Sequence, residues 1–333
     1  MASMEATWRW VLVTAIAPVC WGATYYVTRE FLPPGYPLYG GVLRALPAGL
    51  VLLAVVRARP RGAWWWRSAV LGALNMSGFF VLVYVAAQLL PTSVASVVMA
   101  TGSVVLMLIA WAVLRERPRL LSLAGAVAGI AGVACMLLSG GERVEGWGVL
   151  ASVGAMLMSS VGYVLAKKWN DDAPVLATTA WQLLAGGLIL LPFAVAFEGN
   201  PPEPTPGRIL GFAFVSLIAT AISFAAWFGG LKRLPAGSVG LIGLLNPVTG
   251  LALGTLIAGE ALAAQQVAGV GLVFAGILMG QVARGARRRG AGAPGTAGGS
   301  RRRGARVPGP VPREDAGNPE MVDVSRETSA RVR

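Results

Sequence analysis

The feature that most constrains this chain is a succession of apolar windows, each about as long as a bilayer is thick. Crossing about 30 Å of hydrocarbon takes roughly 20 helical residues at about 1.5 Å each. Ten windows qualify: Trp8–Thr28, Tyr36–Val56, Ser68–Leu90, Thr92–Leu114, Leu120–Leu138, Gly146–Ala166, Pro174–Phe197, Ile209–Gly230, Ala236–Ala258 and Gln265–Ala283. Lipid offers no partner to a backbone N–H or C=O, so windows of this length predict helices. Some connections are very short. Leu90-Pro91-Thr92 barely separates the third window from the fourth, which makes sequential helices antiparallel neighbours. The expected fold is an all-α polytopic membrane protein. With 13% charged residues, against about 25% in soluble domains, the chain needs lipid to cover its apolar surface. The first window resembles a secretory leader, with Arg9 ahead of an apolar core. Yet it contains Pro18 and Trp21, and places Tyr25 and Tyr26 where a cleavage site needs small residues.

Charge placement sets orientation. With the N-terminus inside, the inner loops hold Arg57, Arg59, Arg61, Arg67, Arg115, Arg117, Arg119, Lys167, Lys168, Lys232 and Arg233. The outer loops hold Arg29, Arg143 and Arg208. Basic residues resist translocation, so both termini are expected in the cytoplasm, in a cell (inner) membrane. The formal charge of +13 is therefore no nucleic-acid signal. From Arg284 onward there are 12 Arg and 5 acidic residues, so 12 − 5 = +7 belongs to the tail. Residues 284–333, rich in Gly, Ala, Pro and Arg, cannot bury enough apolar surface to order themselves and read as a basic tail near anionic headgroups.

The chain repeats itself. Pro91 to Glu116 has the same spacing as Pro235 to Glu260, and the same register pairs Gly125 with Gly269 and Gly132 with Gly276. Upstream, the stretch from Leu43 to Leu50 resembles that from Trp181 to Leu188, pairing Arg44 with Gln182. The windows thus fall into two units of five, residues 1–140 and 141–283. Five is odd, so the second unit enters the membrane from the opposite side. Two inverted five-helix repeats are an architecture of alternating access around a midplane site.

Several residues are candidates for such a site. A charge within hydrocarbon must face a cavity or a partner, so Arg44 reads either as an anchor for a substrate carboxylate or as a tie to backbone carbonyls. Asn246-Pro247 interrupts the ninth window; the proline frees a carbonyl and the asparagine can bond substrate or a neighbouring helix. Gln182 carries similar weight through the repeat. Trp21, Tyr25, Tyr84, Tyr163 and Trp227 lie within or near the ends of windows and suit an aromatic-walled pocket or ordinary packing. Trp8, Trp10, Trp64, Trp65 and Trp66 fit an interfacial belt. Glu116 and Glu260 end their windows at water, where pairing with a basic neighbour such as Arg115 or Arg117 is the expected role. Gly125-x-x-x-Gly129, Gly250-x-x-x-Gly254 and Gly276-x-x-x-Gly280 permit close helix approach.

Trp21-Gly22, Arg44, the Pro…Glu spacing and the five-plus-five repeat resemble the EamA-type family of the drug/metabolite transporter superfamily, over residues 8 to 283. The resemblance implies a ten-helix basket with a central cavity, used for export of amino acids, other metabolites or toxic compounds. One departure is that Ser103, beside Gly102, stands where the second half has Pro247. Catalysis has little material: there is no His, no carboxylate deep in a window, and Cys20 and Cys135 lie in apolar spans as small core residues. No nucleotide-binding Gly-rich stretch precedes a Lys-Ser/Thr pair. The expected partners are a small-molecule substrate and the bilayer, with no nucleic acid, metal or cofactor. A channel or structural membrane protein, and more remotely a lipid-modifying enzyme, are the rival readings.

Overall fold

The computed structural model describes residues 2–90, 98–137, 145–169, 173–258 and 263–290. Among them every regular element is a helix. In chain order these are α1 (Ala2–Phe31), α2 (Pro37–Val56), α3 (Trp64–Gly72), a π-helical segment π1 (Ala73–Gly78), α4 (Phe79–Leu89), α5 (Gly102–Leu114) and α6 (Leu120–Leu137). There follow α7 (Gly146–Lys168), α8 (Val175–Glu198), α9 (Pro206–Ala213), π2 (Phe214–Ile222), α10 (Ser223–Arg233), α11 (Ala236–Ile242), α12 (Leu245–Ala258) and α13 (Ala264–Gly290). Five stretches are long and apolar enough to cross a membrane: Pro37–Val56, Trp64–Ala86, Gly146–Lys168, Val175–Glu198 and Pro206–Arg233. Val98–Leu114, Leu120–Cys135 and Ala264–Gly280 are shorter apolar helices. The chain is thus an all-helical, polytopic membrane protein. Side chains such as Leu12, Val55 and Phe197 stay exposed on helix exteriors, as lipid-facing positions require.

Helix ends follow from local chemistry. Pro37 opens α2, where its missing N–H is no loss. The next two amides, of Leu38 and Tyr39, donate to the Glu198 carboxylate at 2.6 and 2.8 Å, an anion at the positive end of a helix dipole. α13 runs past the expected end of its window at Ala283 to Gly290. Ala and Arg are strong helix formers, and cations at a helix C-terminus oppose the dipole charge. Glu260, Arg143 and the residues from 291 onward lie outside the described residues.

Three interruptions shape the bundle. π1 and π2 each end where a regular helix resumes, at Phe79 and Ser223, and those positions are separated by the same interval as Pro91 and Pro235. A π turn leaves a carbonyl displaced from the α ladder. Hydroxyls bond carbonyls there: Ser223 Oγ donates to that of Ile218 at 2.8 Å, and Ser77 Oγ donates across to that of Gly186 on α8 at 2.8 Å. The third interruption is at Gly243–Leu244, between α11 and α12.

In lipid, helices gain nothing from hiding apolar surface from each other, so association rests on close contact and interhelical bonds. The α6/α13 pair shows this directly. A Cβ added to Gly125 would lie 2.5 Å from the Gly276 carbonyl oxygen, and one on Gly132 2.6 Å from that of Gly269. The ascending order 125, 132 against the descending 276, 269 makes the pair antiparallel. α2 and α8 pair in the same sense: a Cβ on Gly49 would meet Leu184 Cγ at 2.8 Å, and one on Gly187 would meet Leu46 Cγ at 2.6 Å. A Gly276→Ala substitution would press a methyl onto the α6 backbone and is expected to cost about 1–3 kcal/mol. Gly271, on the same helix, has open space around it. Gly271→Ala should leave the melting temperature in detergent unchanged while Gly276→Ala lowers it by several degrees.

Candidate functional site

The site is built where α1 and α2 meet π2. Trp21, on α1, donates its indole Nε1–H to the Ala219 carbonyl at 2.9 Å. Ala219 belongs to π2, whose wide turn leaves that oxygen available to a side chain. Arg44, on α2, reaches the same turn: its Nε donates to Thr220 Oγ1 at 2.7 Å and its Nη2 to the Ala219 carbonyl at 3.4 Å. The guanidinium lies over Phe80, 4.4 Å from the ring centroid, where the ring's negative face favours a cation. The arginine, within an apolar helix where a bare charge would be costly, thus has polar and aromatic partners.

An aromatic cluster continues from this point. Trp21 lies 5.2 Å from both Phe224 and Trp227, and Trp227 lies 5.5 Å from Tyr163. Tyr163 packs edge-on against Phe228. The tilted and edge-on geometries are those that ring quadrupoles prefer. Trp227 is buried, and its Nε1–H has no hydrogen-bond partner.

A second polar contact lies deeper along α8. Asn75 Nδ2, in π1, donates to Gln182 Oε1 at 3.0 Å, and Gln182 Nε2 donates to the Thr178 carbonyl at 3.1 Å. Both side chains are fully buried. Asn75 Oδ1 has no partner. Arg44 is roughly 10 Å of helix rise from the start of α2, and Gln182 roughly 10 Å from the start of α8. The helices are antiparallel, with Leu184 against Gly49 and Gly187 against Leu46, so the two contacts lie roughly 10 Å apart along the pair.

The remaining candidates fall elsewhere. The Tyr84 hydroxyl accepts from the Gly35 amide at 3.1 Å, in the α1–α2 connection, outside the ring cluster. Asn246 and Pro247 open α12 after the Gly243–Leu244 break. A Cβ on Gly22 would lie 2.6 Å from the Asn246 carbonyl, so α1 and α12 touch beside Trp21. The side chain of Tyr25 lies outside the described residues. Asn75 and Thr220 did not stand out in the sequence. Asn75 had a signal, being an amide well inside an apolar window, which needs a partner in lipid. Thr220 had none, because a threonine can bond its own helix.

One further contact ties helix ends together. Glu116 pairs with Lys167 Nζ at 2.7 Å and accepts from the Ala236 amide at 2.9 Å. Lys167 also donates to the Leu234 carbonyl at 2.6 Å. The flanking Arg115 and Arg117 are not the partners, since adjacent residues do not face each other and Arg115 turns the backbone left-handed at φ 58°.

Residues 8–138 and 146–280 each match the EamA-like transporter family. The chain belongs to the EamA-like transporter family. It is 34% identical over 267 residues to Protein PecM of Dickeya dadantii, covering 80% of this chain and 90% of that one. A probable terminal-alkyne amino-acid exporter of Streptantibioticus cattleyicolor is 27% identical, over 86% of this chain and 97% of its own. An uncharacterized inner membrane transporter of Escherichia coli, YedA, is 26% identical, over 78% and 87%. A solved crystal structure superposes with a TM-score of 0.72 at 20% identity, over 84% of this chain and 98% of that chain. These likenesses give the EamA-like chain a general role in membrane transport and indicate a transporter rather than an enzyme.

Thr220→Val keeps the shape of the threonine but removes the acceptor of a half-buried guanidinium. Leaving that Nε–H unpaired is expected to cost about 1–3 kcal/mol, read as a fall in melting temperature. For Asn75→Ala and Gln182→Ala, a double-mutant cycle should give a coupling of about 0.6–1.7 kcal/mol, the range of interhelical bonds in lipid.

Proposed function

We propose that this protein is a secondary transporter that exports small carboxylate-bearing metabolites, amino acids and drug-like compounds among them, by alternating access. The observation that carries this reading is the matched pair of contacts between the two halves. Arg44, in the first half, bonds Thr220 in the second; Gln182, its partner in the repeat, bonds Asn75 in the first. Thr220 lies one residue from the position equivalent to Asn75. Each half therefore reaches into the π segment of the other, at two depths of the same helix pair.

The glycine contacts support ten transmembrane helices in two inverted five-helix repeats, residues 1–140 and 141–283, with 284–333 as a basic tail. Exchanging the halves turns the Gly125–Gly276 contact into the Gly269–Gly132 contact, and Gly49–Leu184 into Gly187–Leu46. Helices that exchange about a two-fold axis and run antiparallel have that axis perpendicular to themselves. For membrane helices this is an axis in the membrane plane, the symmetry of inverted repeats. Such a pair of halves can open to either side by exchanging conformations. The loop arginines and lysines orient the chain with both termini in the cytoplasm.

Arg44 selects the substrate class in this reading. Its guanidinium fork matches a carboxylate, and Trp21, Tyr163 and Trp227 offer rings and an unpaired indole donor beside it. Gln182 supplies a neutral counterpart toward the other side, so the anion is held more tightly at one end of the path. The name of one relative, a probable terminal-alkyne amino-acid exporter, agrees with this class.

The test is flux of labelled amino acids and other carboxylates in right-side-out and inside-out vesicles, with and without a proton gradient. Saturable flux that Arg44→Gln lowers by about tenfold or more, the scale of one charge-assisted hydrogen bond, is the expected result. Unchanged flux in a folded Arg44→Gln protein would remove the carboxylate assignment. A non-saturable conductance would favour a channel.

A further inference from the structure

Beside the Glu116–Lys167 pair lies a cavity of about 610 Å³. Arg115, Arg117 and Arg119 line it from the α5–α6 connection, Lys167 from the end of α7, and Lys232 and Arg233 from the end of α10. Glu116 is the carboxylate in this wall, and Lys167 already neutralises it at 2.7 Å. Six basic side chains and one carboxylate thus line one space. Walls of low dielectric focus such a charge into the cavity. Among the described residues, no salt bridge engages Arg115, Arg117 or Arg119.

The deeper wall has another character. Met107, Ala110 and Gly237 line it, and Met107 is roughly 12 Å of helix rise below Arg115. A basic rim over an apolar floor, at the ends of membrane helices, complements an amphiphile with an anionic head. A free anion would make no use of the floor.

The repeat supplies an internal control. In the register that pairs Pro91 with Pro235, Gly259, Ala261 and Ala263 correspond to Arg115, Arg117 and Arg119, and Gln88 and Leu89 to Lys232 and Arg233. The family's architecture therefore does not require cations at these turns. Orientation in the membrane calls for basic loops, but not for their convergence on one cavity: Arg57, Arg59 and Arg61 serve orientation without lining it.

We propose that this cavity is a binding site for the phosphate headgroup of an anionic phospholipid. Arg115, Arg117 and Arg119 hold the phosphate, whose oxygens suit the guanidinium fork, and the first acyl carbons run toward the apolar inner wall. Basic pockets between membrane helices take such headgroups. The bound lipid bridges the ends of α5, α7 and α10, the helix ends that Glu116 and Lys167 already join.

The full chain in detergent, titrated with cardiolipin, phosphatidylglycerol, phosphatidylcholine or inorganic phosphate, tests this by native mass spectrometry and thermal shift. One variant carries Arg115→Gln, Arg117→Gln and Arg119→Gln; a control removes the same charge through Arg57→Gln, Arg59→Gln and Arg61→Gln. The anionic lipids should bind and raise the melting temperature of the wild type and of the control. Binding to the cavity variant should weaken by about tenfold or more, and phosphatidylcholine should do nothing. Equal losses in both variants would reduce the effect to diffuse charge and overturn the site. So would equal binding of phosphatidylcholine. Inorganic phosphate that stabilises the protein as well as the lipids do, and displaces them, would make the ligand a soluble phosphate instead. If the triple variant fails to fold, Arg117→Gln alone makes the same comparison, with a several-fold loss expected and an unchanged affinity overturning the proposal.

Discussion

Backbone-to-backbone contact between helices is the constraint on which the rest of this protein depends. At Gly125 and Gly132 a carbonyl of α13 occupies the space that any side chain would claim. Similar approaches join α1 to α12 at Gly22 and α3 to α8 at Gly72. Lipid removes the usual reward for packing apolar surfaces together, so van der Waals contact at short range and interhelical hydrogen bonds have to supply it. Glycine makes the short range available. The antiparallel register that these contacts impose on α2/α8 then sets Arg44 and Gln182 roughly 10 Å apart along one helix pair.

The second constraint is the need to satisfy a half-buried guanidinium. Arg44 is tolerated because π2 turns a carbonyl and a threonine hydroxyl toward it, and because Phe80 covers its face. π2 also receives the Trp21 indole, so a local irregularity of the backbone organises two side chains from two other helices. The same logic operates at Asn75 and Gln182 without a charge. The two places differ in charge, with a cation in one and an amide in the other, at positions that the sequence pairs.

Much of this was legible beforehand. The apolar windows marked the helices nearly to the residue in several places: Val56, Leu114 and Ala258 end their helices as the windows do. The register pairing Gly125 with Gly269 and Gly132 with Gly276 appeared as a repeat, and Arg44 stood out by its charge alone. Asn246-Pro247 marked the neighbourhood of a break, which falls just before it at Gly243–Leu244 because a proline is accepted in the first turn of a new helix. The π segments were not legible, since Ala73–Gly78 and Phe214–Ile222 contain nothing that a regular helix excludes. Nor was the partner of Glu116, Lys167, which comes from a helix distant in sequence rather than from the arginines beside it.

Window length, loop charge and internal spacing by themselves determined that this chain is a membrane protein of repeated helices, because lipid thickness and the cost of an unpaired peptide group act on any sequence locally. They also singled out Arg44 as a residue in need of a partner. Which partner it takes, which rings surround it and which cations gather over Met107 were decided only by tertiary structure. Those outcomes depend on how helices remote in sequence cross, and crossing is set by small differences in contact distance that no local pattern encodes.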